Sequence, residues 1–467
     1  MMRCGGDCWK IAAATVAAIL GAAGAHAGHQ PRQQTEDRPS RVAWLSRNAP
    51  AIRSIDPTVE HDGFADLEPL KAAIGNARVV VLGEQSHGDG ATFLAKGRLI
   101  KFLHQRMGFD VLAWEAGLFN AHDMDAAVRD RTVPIDDAMG RGLFPIWALS
   151  AQVRPVFDYA RSVAGTRRPL EMAGFDHQFS GAGPSRWRNA LVGFLDEADP
   201  SLLPDDLRAS LRNDVRTVFA SDSKAPDIRR VAAKWRALSA LFDASRAKLE
   251  RAHPTAEVAL MRRTVDAALL SLEGLARLRE AAGQFRAADN NLRDQWMGET
   301  LVWLANERYK GRRIIVWAAS FHTLHDPTAI KLGPDASFSY ENVLTMGQVA
   351  RRSLRDAIYT VGFTAAEGRA ARVTDGETLQ LEPPIEGSLE DLCLGVGRRF
   401  LFVNLRGLPL SHWLRRSISA RVLGHSPIET DWSRQMDALV FTRTMFPSTK
   451  GPMAPDGAVL TESSSAR

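Results

Sequence analysis

The chain has 467 residues, 45% of them hydrophobic and 24% charged, values of a folded globular protein with length for one large or two medium domains, which excludes disorder throughout. Its 59 Lys and Arg against 54 Asp and Glu leave a formal charge of +5 spread along the chain rather than gathered in blocks. A nucleic-acid binder would cluster that charge on one basic face with interleaved aromatics, so nucleic acid is not an expected partner.

The amino end reads as a secretory leader over residues 1–27. "MMRCGGDCWK" carries Arg3 and Lys10, "IAAATVAAILGAAGA" is an apolar run short for a membrane span, and Ala25 and Ala27 supply the small residues a peptidase requires. Cleavage after Ala27 places the mature protein outside the cytoplasm, periplasmic or secreted; the alternative is a retained anchor. No other stretch approaches spanning length, so no membrane contact is expected once the leader is gone. Cys4 and Cys8 leave with it, and Cys393 remains as a packed thiol, which rules out an internal disulfide and a cysteine metal cluster in the mature chain.

Residues 28–50 are polar and proline-bearing and read as a flexible lead-in; the tail 447–467 reads the same way. Between them, 51–446 form one domain. Its strand candidates are "ARVVVLG", "FDVLAWE", "RRIIVWAA", "DAIYTVGF", "RFLFVNL" and "DALVFTR", several of them continuously apolar as strands covered on both faces are. "TFLAKGRLIKFLHQRMG" repeats apolar residues at three and four and stops at Gly108, so strand, helix and strand form a parallel βαβ unit. Residues about 185–310 are rich in Ala, Leu, Arg and Glu and nearly free of strand runs. The expected fold is therefore α/β, a mostly parallel central sheet flanked by helices, with a helical insertion covering the site.

In such sheets functional groups collect beyond the carboxyl ends of the strands. "VVVLGEQSHG" delivers Glu84 and His87 between glycines, with Ser86 as a helix cap or a possible nucleophile; "VLAWE" ends on Glu115, and "IIVWAASFHTLHD" brings His322 and His325. Burying lone charges costs several kcal/mol, so convergence of two carboxylates and two imidazoles points to a site. Neutral His87 could take a proton from water while Glu84 or Glu115 holds its tautomer. Gly83 and Gly88 would allow an unusual turn and close approach. Asp176 in "AGFDHQ" could line the same cleft, with His177 exposed. Arg293, Asp294 and Glu299 would form an ion-paired helix face nearby. Trp114, Trp147, Trp296 and Trp317 would be core or pocket paving. There is no G-x-S-x-G elbow, which disfavours the usual serine hydrolase.

These segments resemble a known family. "VVLGEQSHG", the basic helix after it and "GFDVLAWEAG" resemble the opening of the erythromycin esterase-like proteins; "NLRDQWMGETLVWL", "IIVWAASFHT" and "ENVLTMG" resemble its later motifs, from about Ile74 to Met445. The resemblance implies hydrolysis of an ester, in the named members a macrolactone, by histidine-activated water, with no cofactor and a small-molecule substrate. By position it puts the base on His87, its carboxylates on Glu84 and Glu115, the family's helix arginine on Lys96 and its second strand histidine on His322. The first strand histidine falls on Ala319. Arg98, His322 or Lys96 would steady the oxyanion, and His325 is either a solvated loop histidine or the replacement for the missing imidazole. Two alternatives stay open: a metal held by Glu84, His87, Glu115 and His322, and a haem-type ligand-binding protein without turnover. Oligomeric state and natural substrate are not legible.

Overall fold

A computed structural model describes residues 37–450 except 221, 282–285, 334, 335, 337 and 377; the leader with its cleavage point and the tail beyond residue 450 lie outside the described residues. Among the described residues there are ten strands: β1 Val79–Leu82, β2 Val111–Gly117, β3 Glu171–Asp176, β4 Ile314–Trp317, β5 Ile358–Ala371, β6 Thr378–Gln380, β7 Phe400–Asn404, β8 Ile418–Leu423, β9 Ser426–Thr430 and β10 Ala438–Met445. The main sheet runs β3-β2-β4-β1-β5-β10-β7, with β6 paired to β5. Every pair from β3 to β10 is parallel. Within this sheet, among the described residues, β7 against β10 and β6 against β5 run antiparallel, so the "RFLFVNL" strand closes an edge instead of extending the parallel set.

Continuous apolar runs suit this sheet because both of its faces are covered. Along β1, Val80 and Leu82 enter one core cluster, and Val79 and Val81 enter another on the opposite face. The chain lays down β1, moves outward through β2 and β3, returns to insert β4 beside β1, and then crosses to β5. That change of direction opens a crevice at the carboxyl ends of β1, β2, β3 and β4.

Between β3 and β4 the chain is helical: α3 Pro184–Ala198, α4 Asp205–Val218, α5 Ala225–Ala252, α6 Thr255–Glu280 and α7 Asn291–Trp303. Helices α3 to α6 enclose their own core around Trp187, Trp235 and Leu272, while α7 returns Met297 and Leu301 to the sheet. Earlier in the chain lie α1, Arg38–Asn48, and α2, Gly90–Met107, which follows β1.

Two segments differ from the flexible reading. Helix α1 occupies most of the described part of the expected lead-in. Asp37 caps it by accepting from the Ser40 N–H at 3.0 Å, Pro39 fits its first turn, and Leu45 is fully buried. Polar content concealed the apolar stripe of Val42, Leu45 and Ala49, which packs near α1's ion-pair partner Asp391. The start of the expected loose tail is also fixed. Ser448 donates its N–H to the Gly88 carbonyl at 2.9 Å, and the Thr449 carbonyl accepts from Ala151 at 2.8 Å. The hairpin β8–β9 has no counterpart among the sequence-predicted strands.

Leu45→Ala tests whether α1 belongs to the fold. Removing a fully buried leucine should lower stability by about 2–5 kcal/mol in urea unfolding, whereas a change within about 0.5 kcal/mol is what a loosely attached surface segment would give.

Candidate active site

The turn after β1 is held from several sides. Its Gly83 N–H bonds the Val361 carbonyl at 2.9 Å, and the Glu84 carbonyl accepts from Ser320 at 2.8 Å. Asp89 accepts from the Ser86 N–H and hydroxyl and from His425 Nε2, each at 2.8 Å. His425 sits at the β8–β9 turn with φ of 60°, and neighbouring Gly424 donates to the Gln85 carbonyl at 2.9 Å. None of Gly83, Gly88 and Gly90 has a positive φ. Their role is space: an added Cβ would lie 2.7 Å from Ser320 Oγ at Gly83, 2.8 Å from the Ala371 backbone at Gly88 and 2.4 Å from the Pro447 carbonyl oxygen at Gly90. Close approach, not the expected unusual turn angle, explains the glycines.

Within this turn Glu84 is wholly buried and bracketed by donors. Lys96 Nζ reaches Oε2 at 2.7 Å, Trp147 Nε1 reaches Oε1 at 3.0 Å, and His87 Nδ1 lies 2.8 Å from Oε1. The ammonium and the indole can only donate, one to each oxygen of Glu84, so the carboxylate is the acceptor toward His87 as well and His87 donates its Nδ1–H. The other nitrogen, Nε2, then carries the lone pair and has no protein partner among the described residues. Trp147 also meets the His87 ring edge-on, with centroids 5.1 Å apart.

Lys96 comes from α2 and is fully buried, its ammonium 3.9 Å from the Trp317 ring centroid. Burial pushes its pKa down to about 8, a fall that Glu84 limits. Lys96 therefore acts behind Glu84, not at the oxyanion position expected for it.

A second network forms at the ends of β2, β3 and β4. Arg293 on α7 donates to Asp176 from Nε at 3.0 Å and Nη2 at 2.7 Å, and to Glu115 from Nη2 at 2.7 Å. Glu115 Oε2 also accepts the Ala319 N–H at 2.8 Å. His322 Nδ1 pairs with Asp294 at 2.9 Å, and its Nε2 lies 3.4 Å from Glu115 Oε1 and 3.0 Å from Arg293 Nη1. Burial works against a charge on His322, but Asp294 and Glu115 more than offset it and raise its pKa. For Glu115, burial pushes upward and is overcome by His322, then Arg293, then His87, which bring it down to about 2. Glu115 is thus ionised at neutral pH.

The sequence-predicted cluster is therefore two networks. His87 shares no hydrogen bond with Glu115 or His322; Glu84, not Glu115, holds its tautomer. The two are joined by the Ser320 to Glu84 backbone bond and by the field of His87 on Glu115. Ala319, which stands where the resemblance puts the family's first strand histidine, contributes only its backbone N–H, to Glu115.

Other expected residues fall elsewhere. Arg98 points away along α2 into a buried cluster with Asp62, Asp66 and the Ser54 carbonyl. Trp114 precedes Glu115 on the strand and so faces the opposite side, stacked on Trp317 at 4.7 Å with its N–H on Met172 Sδ. His325 bonds Thr360 Oγ1 at 2.9 Å, and burial pushes its pKa down to about 4, so it does not replace the missing imidazole. Ser86 donates its hydroxyl to Asp89 and accepts the Gly88 N–H, so it serves to hold the turn. Glu299 is exposed and bonded by Gln295, outside the buried network. His177, expected to be exposed, is buried. Nothing local in the sequence assigns Trp147, Asp89 and His425 to holding the turn, and Asp294, expected in a helix-face ion pair, instead pairs with His322.

A cavity of about 440 Å³ opens beside the second network, lined by Arg293, His177, Ser271, Phe144 and Phe179 among others. Helix α6 supplies one wall. His87 is not itself a lining residue; Phe144, which is, lies 6.3 Å from Trp147, whose ring meets His87. Among the described residues no group of three or more His, Cys, Asp and Glu is placed to hold a metal ion. Both oxygens of Glu84 and of Glu115 already face cationic or N–H donors.

Against known proteins, the erythromycin esterase family model matches residues 104–445. The chain belongs to the erythromycin esterase family. That match begins beyond the turn of Glu84 and His87 and takes in Glu115, α7 and His322. YbfO of Bacillus subtilis (strain 168) is 24% identical over 422 residues, 87% of this chain and 91% of its own length. The erythromycin esterase type II of Escherichia coli is 23% identical over 374 residues, 74% of this chain and 85% of its own. A Bacillus cereus protein of known crystal structure superposes with a TM-score of 0.73 at 19% identity, over 89% of this chain and all of that one, which shows the shared fold. As an erythromycin esterase family member, the protein is a hydrolase.

Lys96→Met would leave Glu84 buried without its cation, and should cost about 3–5 kcal/mol in urea unfolding at neutral pH. In the parent, the ammonium is lost as pH rises through about 8, so activity should decline above that pH and decline later in Lys96→Arg, whose guanidinium stays charged. Stability of Lys96→Met equal to the parent contradicts the bracket.

Proposed function

We propose that the protein is an exported hydrolase that cleaves an ester or lactone, with His87 as general base toward water. The observation carrying this reading is the 2.8 Å pairing of His87 Nδ1 with a carboxylate already bracketed by Lys96 and Trp147, which leaves the Nε2 lone pair unpartnered. Water held at Nε2 gives up its proton as its oxygen bonds the acyl carbon. The ester C–O bond then breaks, and the leaving alkoxide takes the proton from the His87 imidazolium, whose charge Glu84 stabilises. Base catalysis of this kind contributes typically about 10² to 10⁴-fold. Arg293, clamped by Asp176 and Glu115 and facing the cavity, is the cation suited to the developing oxyanion. Holding it there costs no reorganisation during the reaction. Export rests on the leader pattern of residues 1–27.

A panel of simple esters and macrolides, run with and without EDTA on the parent and on His87→Ala, tests the reading. Turnover that survives chelation and falls at least about 100-fold in His87→Ala is expected. Equal turnover by parent and variant defeats it; loss on chelation defeats the metal-independent form.

A further inference from the structure

His177 follows the Asp176 that clamps Arg293, and it lines the cavity. Ser271, one turn before Gly274 on α6, donates its only hydroxyl proton to the His177 carbonyl at 2.5 Å. Toward the ring, 3.2 Å away, Ser271 Oγ can then only accept, so Nδ1 carries the ring proton. Nε2 is left as an acceptor without a partner among the described residues. Burial pushes the ring's pKa down to about 4, helped by Arg293 and opposed by Asp176, so the imidazole is neutral at working pH.

A bare acceptor in a cavity wall calls for a donor on the ligand. Beside Arg293 an ammonium is disfavoured and an uncharged hydroxyl is not. The charged groups around the rest of the wall already have partners: Arg277 bonds Glu273 at 2.8 Å, Glu280 pairs with Arg229, and Arg286 reaches Asp289 at 3.2 Å. Phe144 and Phe179 cover apolar surface between them. Gln178 adds a second polar atom to the same wall, its Oε1 buried without a partner.

Building on the hydrolase reading above, we propose that His177 is a specificity-determining residue whose Nε2 accepts a hydrogen bond from a hydroxyl on the substrate, selecting uncharged hydroxylated esters over their deoxy counterparts. The site hydrogen-bonds a group that a deoxy analogue lacks, and that is the arrangement in which discrimination is strongest.

The test uses the full protein with p-nitrophenyl hexanoate and its analogues bearing one hydroxyl at the third or at the sixth chain carbon, because a hydroxyl at the fourth or fifth would close to a lactone and release nitrophenol without the enzyme. The parent should favour at least one hydroxy ester by about 3- to 10-fold in KM. His177→Phe should erase the difference between the two esters, and His177→Gln, which keeps an acceptor, should restore part of it. Gly274→Leu should erase it with His177 intact, because a Cβ at Gly274 already lies 3.7 Å from His177 Cε1. A parent without preference, or a preference that persists in His177→Phe, overturns the proposal. If no ester is turned over at all, the hydrolase reading fails separately, and calorimetric binding of the matching methyl esters decides this one. Tightening by the hydroxyl that disappears in His177→Phe supports it, and its absence from the parent refutes it.

Discussion

A carboxyl group with no solvent exposure needs donors in place of water, and Glu84 has three: an ammonium, an indole N–H and an imidazole N–H. Each comes from a different part of the chain. Lys96 arrives on α2, Trp147 on a short helical turn before β3, and His87 from the same turn as Glu84. The fold must therefore be complete before His87 is poised. Two of those donors hold Glu84 in the acceptor role, so that the third is fixed in one tautomer. The glycines that flank the turn let Ser320, Ala371 and Pro447 press against it, and His425 holds Asp89 from below at the expense of a positive φ.

The second network solves the same problem with more charges. Arg293 carries two carboxylates, and His322 sits between two. Breaking any member strands a buried charge, so the network is rigid and its cation is fixed where the cavity begins. In the proposed mechanism the division of labour is spatial: proton transfer would belong to the end of β1, charge stabilisation to the ends of β2, β3 and β4. The parallel order of these strands is what places the two side by side.

Much of this was legible from local pattern. Continuous apolar runs leading to Glu84, Glu115 and His322 reported both the covered parallel sheet and the edge where buried ionisable groups gather, because few such groups would be buried without partners. What escaped was whatever depends on partners distant in sequence. Glu115 belonged to Arg293, 178 residues away, and not to His87, and nothing in "VLAWE" says so. Arg98 lies two positions from Lys96, yet a helix turns that step to another face, where Asp62 and Asp66 wait. His425 is 336 residues from Asp89 in a hairpin with no strong strand signal. Polar content hid α1, and His177 seemed exposed because α6, which covers it, is not its neighbour in the chain.

The most direct probe of the account is the protonation of one ring, read by ¹⁵N NMR of the histidine imidazoles at a pH where His87 is neutral, assigned with His87→Gln. The Glu84 bracket predicts the proton on Nδ1 and a bare Nε2. A His87 ring protonated on Nε2 instead would mean that Glu84 does not accept from it, and the proposed base would have no lone pair to offer water.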